Sequence, residues 1–402
     1  MERKSQDMPL LSRGMVAVLV AQFLSALADN AILIAAIAIV RMQGKAGLVP
    51  LLQESFVFPF VLLAPFVGQF ADRHPKGRVM LFGNLLKLSG AIGMSLGINP
   101  FVAYNLIGVG AALYSPAKYG ILAQMFGPTK LVRANGMMEG STIVAILLGV
   151  LLGGWLSDHS LNRAFLGVIL CYGLAVAANL PIPYLAPENP DSVFHPVAML
   201  KQFAASLRQL FRNPDARFCL IGTSVFWGCG TTLRLMLFAW VPVALLITDN
   251  QTPANLMGVV SVGIVFGAAL AGAWITLANA NRALIGGLLL GPVIFALSFI
   301  TDMHHAIVAM LLVGICGGAF VVPLNALLQE RGHESIGAGY ALAVQNFSEN
   351  IAMLLFVGAY GLASSAKLPI DSSVEGFGLL LLAAMGALAW LRAGKRNHRE
   401  QP

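Results

Sequence analysis

The chain contains 402 residues, of which 57% are hydrophobic and only 11% are charged. Soluble domains carry about 25% charged residues, so this chain has too few charges to cover a water-facing surface. The composition therefore excludes a soluble globular protein. The net charge of +7 is scattered in small groups between apolar runs, whereas a nucleic-acid-binding protein concentrates basic residues on one face. Nucleic acid is accordingly not expected as a partner.

The apolar runs predict an all-α integral membrane protein. A spanning helix needs about 20 mainly apolar residues, and no segment alternates polar and apolar residues as a membrane-barrel strand would. Twelve candidate spans follow in chain order: 15–40, 50–71, 79–98, 101–124, 135–157, 163–185, 217–247, 255–277, 282–301, 305–329, 337–364 and 375–392.

The distribution of Lys and Arg predicts the orientation of these spans. If the N-terminus is inside and twelve spans alternate, 18 of the 25 basic residues lie in inner segments and 4 lie in outer segments. The remaining three, Lys87, Lys118 and Arg234, lie within spans. Because basic residues are retained on the cytoplasmic side, we expect both termini in the cytoplasm.

A segment of different composition divides the spans six and six. We predict an N-terminal six-helix half at 1–185, a cytoplasmic linker at 186–216 and a C-terminal six-helix half at 217–402. In the linker, apolar residues recur at helical spacing opposite Lys201, Arg208 and Arg212. Such a helix is expected to lie on the inner leaflet, although a passive strap between the halves is an equal alternative. The apolar residues are Leu200, Phe203, Ala204, Leu207 and Leu210.

The two halves contain similar short patterns. The fourth span contains Pro116-Ala-Lys118 and the tenth contains Pro323-Leu-Asn325. Internal duplication is typical of transporters, whose substrate site lies near the midplane between the repeats. The pattern therefore predicts two pseudo-symmetric halves.

Asp29 and Arg234 are charged residues inside apolar spans. They lie at similar predicted depth in the first and seventh spans, and a charge there costs about 2.5–3.5 kcal/mol unless it faces a partner or water. We therefore predict that both bind substrate in a central cavity and that they face each other across the halves. A purely structural ion pair is the alternative.

Further polar residues in the spans are predicted to support the same cavity. The carboxylates and cations among them suit a zwitterionic or anionic headgroup. Lys87, beside Asn84, is instead expected to extend its ammonium group to the inner interface. The predicted supporting residues are Asn30, Lys118, Glu139, Asn325, Asn346 and Glu349.

The loop after the second span resembles the signature loop of the major facilitator superfamily, G-x-x-x-D-R-x-G-R. It contains Gly68, Asp72, Arg73, Gly77 and Arg78, with two extra residues between the Asp and the second Gly. The resemblance implies a twelve-helix facilitator fold in which this loop forms a conformational latch between the halves. The equivalent loop at 277–282 lacks the pattern, so the latch is expected to be one-sided.

Longer segments resemble the bacterial lysophospholipid transporters of that superfamily over nearly the whole chain. They include 21–30 around Asp29, 114–122 around Lys118, 133–139, 322–331 and 344–350. The resemblance implies an inner-membrane protein, not an enzyme, that moves lysophospholipids, chiefly lysophosphatidylethanolamine, to the cytoplasmic leaflet. The expected partners are this substrate, inner-membrane lipids and a separate acyltransferase/acyl-carrier-protein synthetase that reacylates it. A monomer without cofactor, metal or catalytic residues is expected.

Three other functions are weighed against this one. A proton-coupled drug or small-solute antiporter of the same fold would use Asp29 or Glu349 as its protonation site. A membrane-embedded acyltransferase would need a His followed four or five residues later by an acid, and no such pair is found at a membrane face. A scaffold for the acyltransferase would not move substrate by itself.

Overall fold

The computed structural model shows an all-helical protein. It describes residues 9–393 except 127, 188–189, 191–194, 276 and 336–337. Some helical residues are described by their backbone only, and these are 123, 128–133, 135–136, 139, 143, 277–278, 329, 332–334, 338–340 and 393. The α-helices are α1 Arg13–Met42, α2 Val49–Arg73, α3 Lys76–Ser95, α4 Pro100–Met125, α5 Pro128–His159, α6 Leu161–Asn179, α7 Pro196–Arg212, α8 Pro214–Ala244, α9 Gln251–Trp274, α10 Leu284–Leu297, α11 Met303–Ser335, α12 Ala338–Ser365 and α13 Ile370–Ala393. Short 3-10 helices occupy Ala46–Leu48 and Leu277–Ala283.

Each of the twelve predicted spans coincides with one of these helices, and α7 is the additional helix predicted in the linker. Within the described chain, ten helices are long and apolar enough to cross a membrane. The two predicted spans outside that set are α3 and α4. Both carry polar residues within their length, among them Lys87 in α3 and Lys118 in α4. The chain is thus a multi-pass membrane protein, and the count of twelve spans stays a prediction.

The sixth span ends earlier than predicted. Helix α6 stops at Asn179, whereas the apolar run suggests a helix to residue 185. Pro181 and Pro183 lie just beyond this end. Proline lacks the backbone N–H that a helix requires and disfavours helical geometry in the residue before it. The hydrophobic run therefore continues after the helix has ended.

The chain divides into two compact units, Met1–Leu200 and Lys201–Pro402. Within the first unit, the main helix contacts are α1 with α5 and α6, α4 with α2 and α3, and α3 with α6. Within the second unit, the corresponding pairs are α8 with α12 and α13, α11 with α9 and α10, and α10 with α13. The same pairing scheme therefore occurs twice, as expected from the internal repeats. The predicted boundaries at 185/186 and 216/217 stay predictions.

Helices α9 and α11 approach each other through glycines. A Cβ atom on Gly267 would lie 2.1 Å from the Ile315 carbonyl oxygen, and one on Gly314 would lie 2.1 Å from the Val260 oxygen. Such distances leave no room for any side chain. This contact identifies Gly267 and Gly314 as small-residue packing positions of the kind that bring membrane helices together.

We predict that Gly267→Ala destabilises the protein, because the added methyl group must push α9 away from α11. Overpacking of this kind costs about 1–3 kcal/mol. Gly272→Ala on the same helix is the matched control, since nothing lies within 4 Å of its Cβ position. Thermal unfolding of the purified protein in detergent should show a lower midpoint for Gly267→Ala only. Equal midpoints for both variants would contradict this packing argument.

Large apolar side chains remain exposed on the outer surfaces of the helices. Leu62, Phe266, Leu355 and Leu379 each expose more than half of their surface. In water such exposure would oppose folding, whereas hydrocarbon makes it favourable. The exposed side chains therefore support the assignment of these helices to a membrane.

Protein, rather than the inner leaflet, covers part of the apolar face of the linker helix α7. Phe203 and Leu210 are buried, and the Phe203 ring packs edge-on against Phe347 of α12 with centroids 5.2 Å apart. The Gln209 Nε2 also donates to the Ser335 carbonyl oxygen at 3.1 Å. The expectation that this face lies on the leaflet is therefore wrong for Phe203 and Leu210, because protein covers them. Both contacts lie within the C-terminal unit, so the strap between the halves stays a prediction.

Candidate functional site

A buried ion pair joins the first and third spans in the first unit. The Lys87 Nζ of α3 lies 2.7 Å from the Asp29 Oδ2 of α1. The Lys87 side chain exposes 3% of its surface and the Asp29 side chain exposes 20%. The expectation that Lys87 extends to the interface is therefore wrong: a carboxylate within the unit offers its ammonium group a stronger interaction than the interface does.

Neighbouring polar side chains complete the coordination of this pair. The Tyr172 hydroxyl of α6 donates to the Asp29 Oδ1 at 2.7 Å, so both carboxylate oxygens have a donor. The Lys87 Nζ also donates to the Ser25 Oγ at 3.0 Å, and this hydroxyl donates to the Asn84 Oδ1 at 2.7 Å. We refer to Ser25, Asp29, Asn84, Lys87 and Tyr172 as the N-terminal polar cluster.

Close packing of α3 against α4 brings the Lys87 stem into place. A Cβ atom on Gly110 would lie 2.9 Å from the Lys87 Cγ and 2.5 Å from the Gly83 carbonyl oxygen. The ammonium group also lies 5.0 Å from the centre of the Tyr114 ring, within range of a cation–π interaction. The glycine thus leaves space for a long cationic side chain that would otherwise be excluded.

We predict that Lys87→Met destabilises the protein by about 3 kcal/mol, because it leaves the Asp29 carboxylate without its counter-ion. Adding Asp29→Asn should recover part of the loss, since the unpaired charge is then removed. Thermal unfolding of both single variants and the double variant measures this coupling. Lys45→Met, at an exposed loop position, is the control. Additive effects of the two substitutions would contradict a direct interaction.

A second polar cluster lies in the C-terminal unit and contains an amide at its centre. The Gln345 Nε2 of α12 donates to the Asn325 Oδ1 of α11 at 2.9 Å and to the Glu349 Oε1 at 2.8 Å. Glu349 is buried, with 7% of its surface exposed. We refer to Asn325, Gln345 and Glu349 as the C-terminal polar cluster. Two predicted site residues, Asn325 and Glu349, are therefore brought together.

The other predicted site residues lie outside these two clusters. Arg234 is half-buried on α8. The Lys118 Nζ lies 4.6 Å from the ring centre of its neighbour Tyr119. The Asn30 Nδ2 donates to the Ala26 carbonyl oxygen of its own helix at 2.8 Å. The Asn346 carbonyl oxygen accepts from the Asn350 side chain at 2.6 Å.

Glu139 falls on α5 but lies outside the residues whose side chains the structure describes. The pairing of Asp29 with Arg234 also stays a prediction, because the two residues belong to different units. Within its own unit, Asp29 already has Lys87 and Tyr172 as partners.

Comparison with known proteins gives the family of this chain. The model of the Major Facilitator Superfamily matches residues 18–357. The chain is 50% identical over 383 residues to the lysophospholipid transporter LplT of Escherichia coli O1:K1, with 95% of this chain and 96% of the relative covered. The protein of the same name from Shigella boydii serotype 4 matches with the same identity and coverage. This chain belongs to the LplT family of the major facilitator superfamily.

The fold of the family is shared by distant transporters of known structure. A POT family transporter crystallised with a thioalcohol-conjugated peptide has a TM-score of 0.75 to this chain at 12% sequence identity. The alignment covers 97% of this chain and 99% of that one. Identity this low shows a common fold only, so the peptide says nothing about the substrate of the LplT family.

The superfamily signature loop is short and is tied to its own unit. Only His74 and Pro75 separate α2 from α3, and the Asp72 Oδ1 lies 2.7 Å from the buried Lys76 Nζ. The Arg78 guanidinium lies 5.6 Å from the centre of the Tyr184 ring, in the segment after α6.

The remaining residues of the signature loop are Arg73, Gly77 and Gly68. Arg73 is exposed at the end of α2. A Cβ atom on Gly77 would lie 3.1 Å from the Ile182 side chain, whereas one on Gly68 would meet nothing within 4 Å. All these contacts lie within the N-terminal unit, so the latch between the halves stays a prediction.

Several cluster residues in this LplT-family protein were not predicted from the sequence. Tyr172 and Ser25 are common residue types in membrane helices, and nothing in their neighbourhood indicates a polar partner. Lys87 and Asn84 did carry a signal, since they lie one helical turn apart within one span. Lys76, a basic residue of the predicted inner loop after the second span, is buried against Asp72.

Proposed function

We propose that this protein transports lysophospholipids across the bacterial inner membrane to the cytoplasmic leaflet by alternating access. The observation that carries the proposal is the 50% identity to LplT over 95% of the chain. The alignment covers nearly all of both chains, so the two proteins have the same domain organisation. No gained or lost domain indicates a change of substrate class, and we therefore expect the same class of substrate. The facilitator fold supplies the moving halves that alternating access requires.

The polar clusters suit the headgroup of such a substrate. Asp29 offers a carboxylate to the amine of lysophosphatidylethanolamine, and its 20% exposure makes it more accessible than Lys87 behind it. Arg234 and Lys118 supply cations for the phosphate, and guanidinium groups bind phosphate in a bidentate manner. Asp29 and Arg234 lie on α1 and α8, which correspond in the two repeats. In this proposal both contact the same headgroup.

The remaining parts of the proposal concern topology and partners. We place twelve spans in the inner membrane, with both termini in the cytoplasm, on the bias of Lys and Arg between inner and outer segments. Lysophosphatidylethanolamine is the main substrate, and a separate acyltransferase/acyl-carrier-protein synthetase uses it after transport. The transporter acts as a monomer.

The direct test is reconstitution of the purified protein alone in lipid vesicles. Labelled lysophosphatidylethanolamine should cross the bilayer faster than in protein-free vesicles, without any added enzyme. Gly267→Ala protein that has been unfolded by heating is added to a second set of vesicles. These vesicles measure the leakage that inserted protein causes without transport. The absence of movement above these backgrounds would overturn the proposal and favour a scaffold that only recruits the acyltransferase.

We predict that Asp29→Asn and Arg234→Lys each lower lysophospholipid transport about tenfold or more. Each substitution weakens a charge-assisted hydrogen bond worth about 1.5–3 kcal/mol. Asp371→Asn and Arg282→Lys make the same chemical changes at helix termini and should leave transport unchanged. Normal transport by both site variants at matched amounts of folded protein would remove the headgroup assignment.

The rival function, a proton-coupled drug or small-solute antiporter, has a separate test. Imposing a proton gradient across the vesicles should leave the direction and rate of lysolipid movement unchanged under the proposed function. Transport that reverses with the gradient, and that Glu349→Gln makes insensitive to it, would favour the antiporter. Glu349 is the residue to substitute because its carboxylate is buried within the C-terminal polar cluster.

A further inference from the structure

A groove lies between the start of α8 and the end of α13, and no residue of either polar cluster lines it. Its floor is apolar and is formed by Phe218, Ile221, Leu388 and Leu391. Arg217 and Arg392 are the charged residues that line it. The bias of basic residues predicts that these two helix ends are cytoplasmic. The groove therefore combines an apolar floor with cations at the level of the inner-leaflet headgroups.

An ion-pair network holds Arg392 in position at this groove. Its Nη1 lies 2.6 Å from the Asp215 Oδ1, its Nε donates to the Asn281 Oδ1 at 2.8 Å, and its guanidinium lies 4.8 Å from the centre of the Phe218 ring. Three contacts from two elements, α8 and the 3-10 helix Leu277–Ala283, orient this side chain. The arginine is thus preorganised and does not have to be ordered when a ligand binds.

The local charge is positive even though an acid is present. The Asp215 Oδ2 also lies 3.2 Å from the Arg331 Nε, so one carboxylate is shared between two arginines. Arg217 adds a further cation, and no ion pair of its side chain occurs among the described residues. An anion at the groove would therefore meet the charge of Arg217 beside the Arg392–Asp215 pair.

Helix α7 adds further cations next to the groove. Only Asn213 separates the last residue of α7, Arg212, from the first residue of α8. Lys201, Arg208 and Arg212 are all exposed on α7. Arg212, two residues before the groove-lining Pro214, therefore adds an exposed cation at the edge of the groove.

We infer that this groove binds an anionic diacyl phospholipid of the inner leaflet, a ligand distinct from the transported lysolipid. Its phosphate contacts Arg217 and Arg392, and one acyl chain lies along Phe218, Ile221 and Leu391. Basic pockets between membrane helices on the cytoplasmic side bind such headgroups, and guanidinium groups match phosphate geometry. The occupied groove would hold the end of α13 against α8.

The test measures lipid binding by the purified full-length protein in detergent, using phosphatidylglycerol and phosphatidylcholine with identical acyl chains. Native mass spectrometry should detect one tightly bound phosphatidylglycerol and weaker binding of phosphatidylcholine. Arg217→Gln should weaken phosphatidylglycerol binding about tenfold, which corresponds to about 1.4 kcal/mol. Arg163→Gln removes the same charge from an exposed position at the start of α6 and should have no effect.

A second pair of variants tests the apolar floor. Leu391→Asn should weaken phosphatidylglycerol binding, whereas Leu379→Asn, a similarly exposed leucine on the same helix but outside the groove, should not. Unfolding midpoints confirm that each variant is folded. Equal binding of the two lipids, or equal losses in Arg217→Gln and Arg163→Gln, would overturn the inference. Because the readout is binding, either result leaves the proposed transport function unaffected.

Discussion

The low dielectric constant of the membrane interior is the constraint on which the N-terminal unit depends. A carboxylate or an ammonium group there is costly alone and stable when paired. The contact between Asp29 and Lys87 meets this constraint. The Tyr172 hydroxyl donates to the Asp29 carboxylate, and the Ser25 hydroxyl accepts from the Lys87 ammonium group. Helices α1, α3 and α6 are thereby linked through one carboxylate. A ligand that competes for this carboxylate would alter contacts of all three helices at once.

Glycines allow the Lys87 side chain to lie deep in the N-terminal unit and bring two helix backbones together in the C-terminal unit. At Gly110 the absence of a side chain leaves room for the Lys87 stem. At Gly267 and Gly314 the backbones of α9 and α11 are almost in contact, so this pair of helices is rigidly joined. In lipid, where burial of apolar surface contributes little to helix association, close backbone contact of this kind is a main source of stability.

The two units share their helix pairing but differ in their polar chemistry. The N-terminal polar cluster contains a complete ion pair, whereas the C-terminal polar cluster places an amide, Gln345, against the carboxylate of Glu349. An amide donor compensates a charge less than an ammonium group does. The two repeats thus share a helix arrangement without sharing the charge composition of their polar clusters.

The sequence by itself determined the membrane class, the approximate positions of the long helices and the presence of two repeats, because hydropathy and repeated short patterns are properties of contiguous residues. It also singled out Asp29 and Glu349, since a lone acid in an apolar run is conspicuous. Only the tertiary structure decided the partners of these acids. Lys87 is 58 residues from Asp29 and Tyr172 is 143 residues from it, and no local pattern encodes such distances. The close approach of α3 and α4 brings Lys87 inward, and this depends on which faces of distant helices pack together.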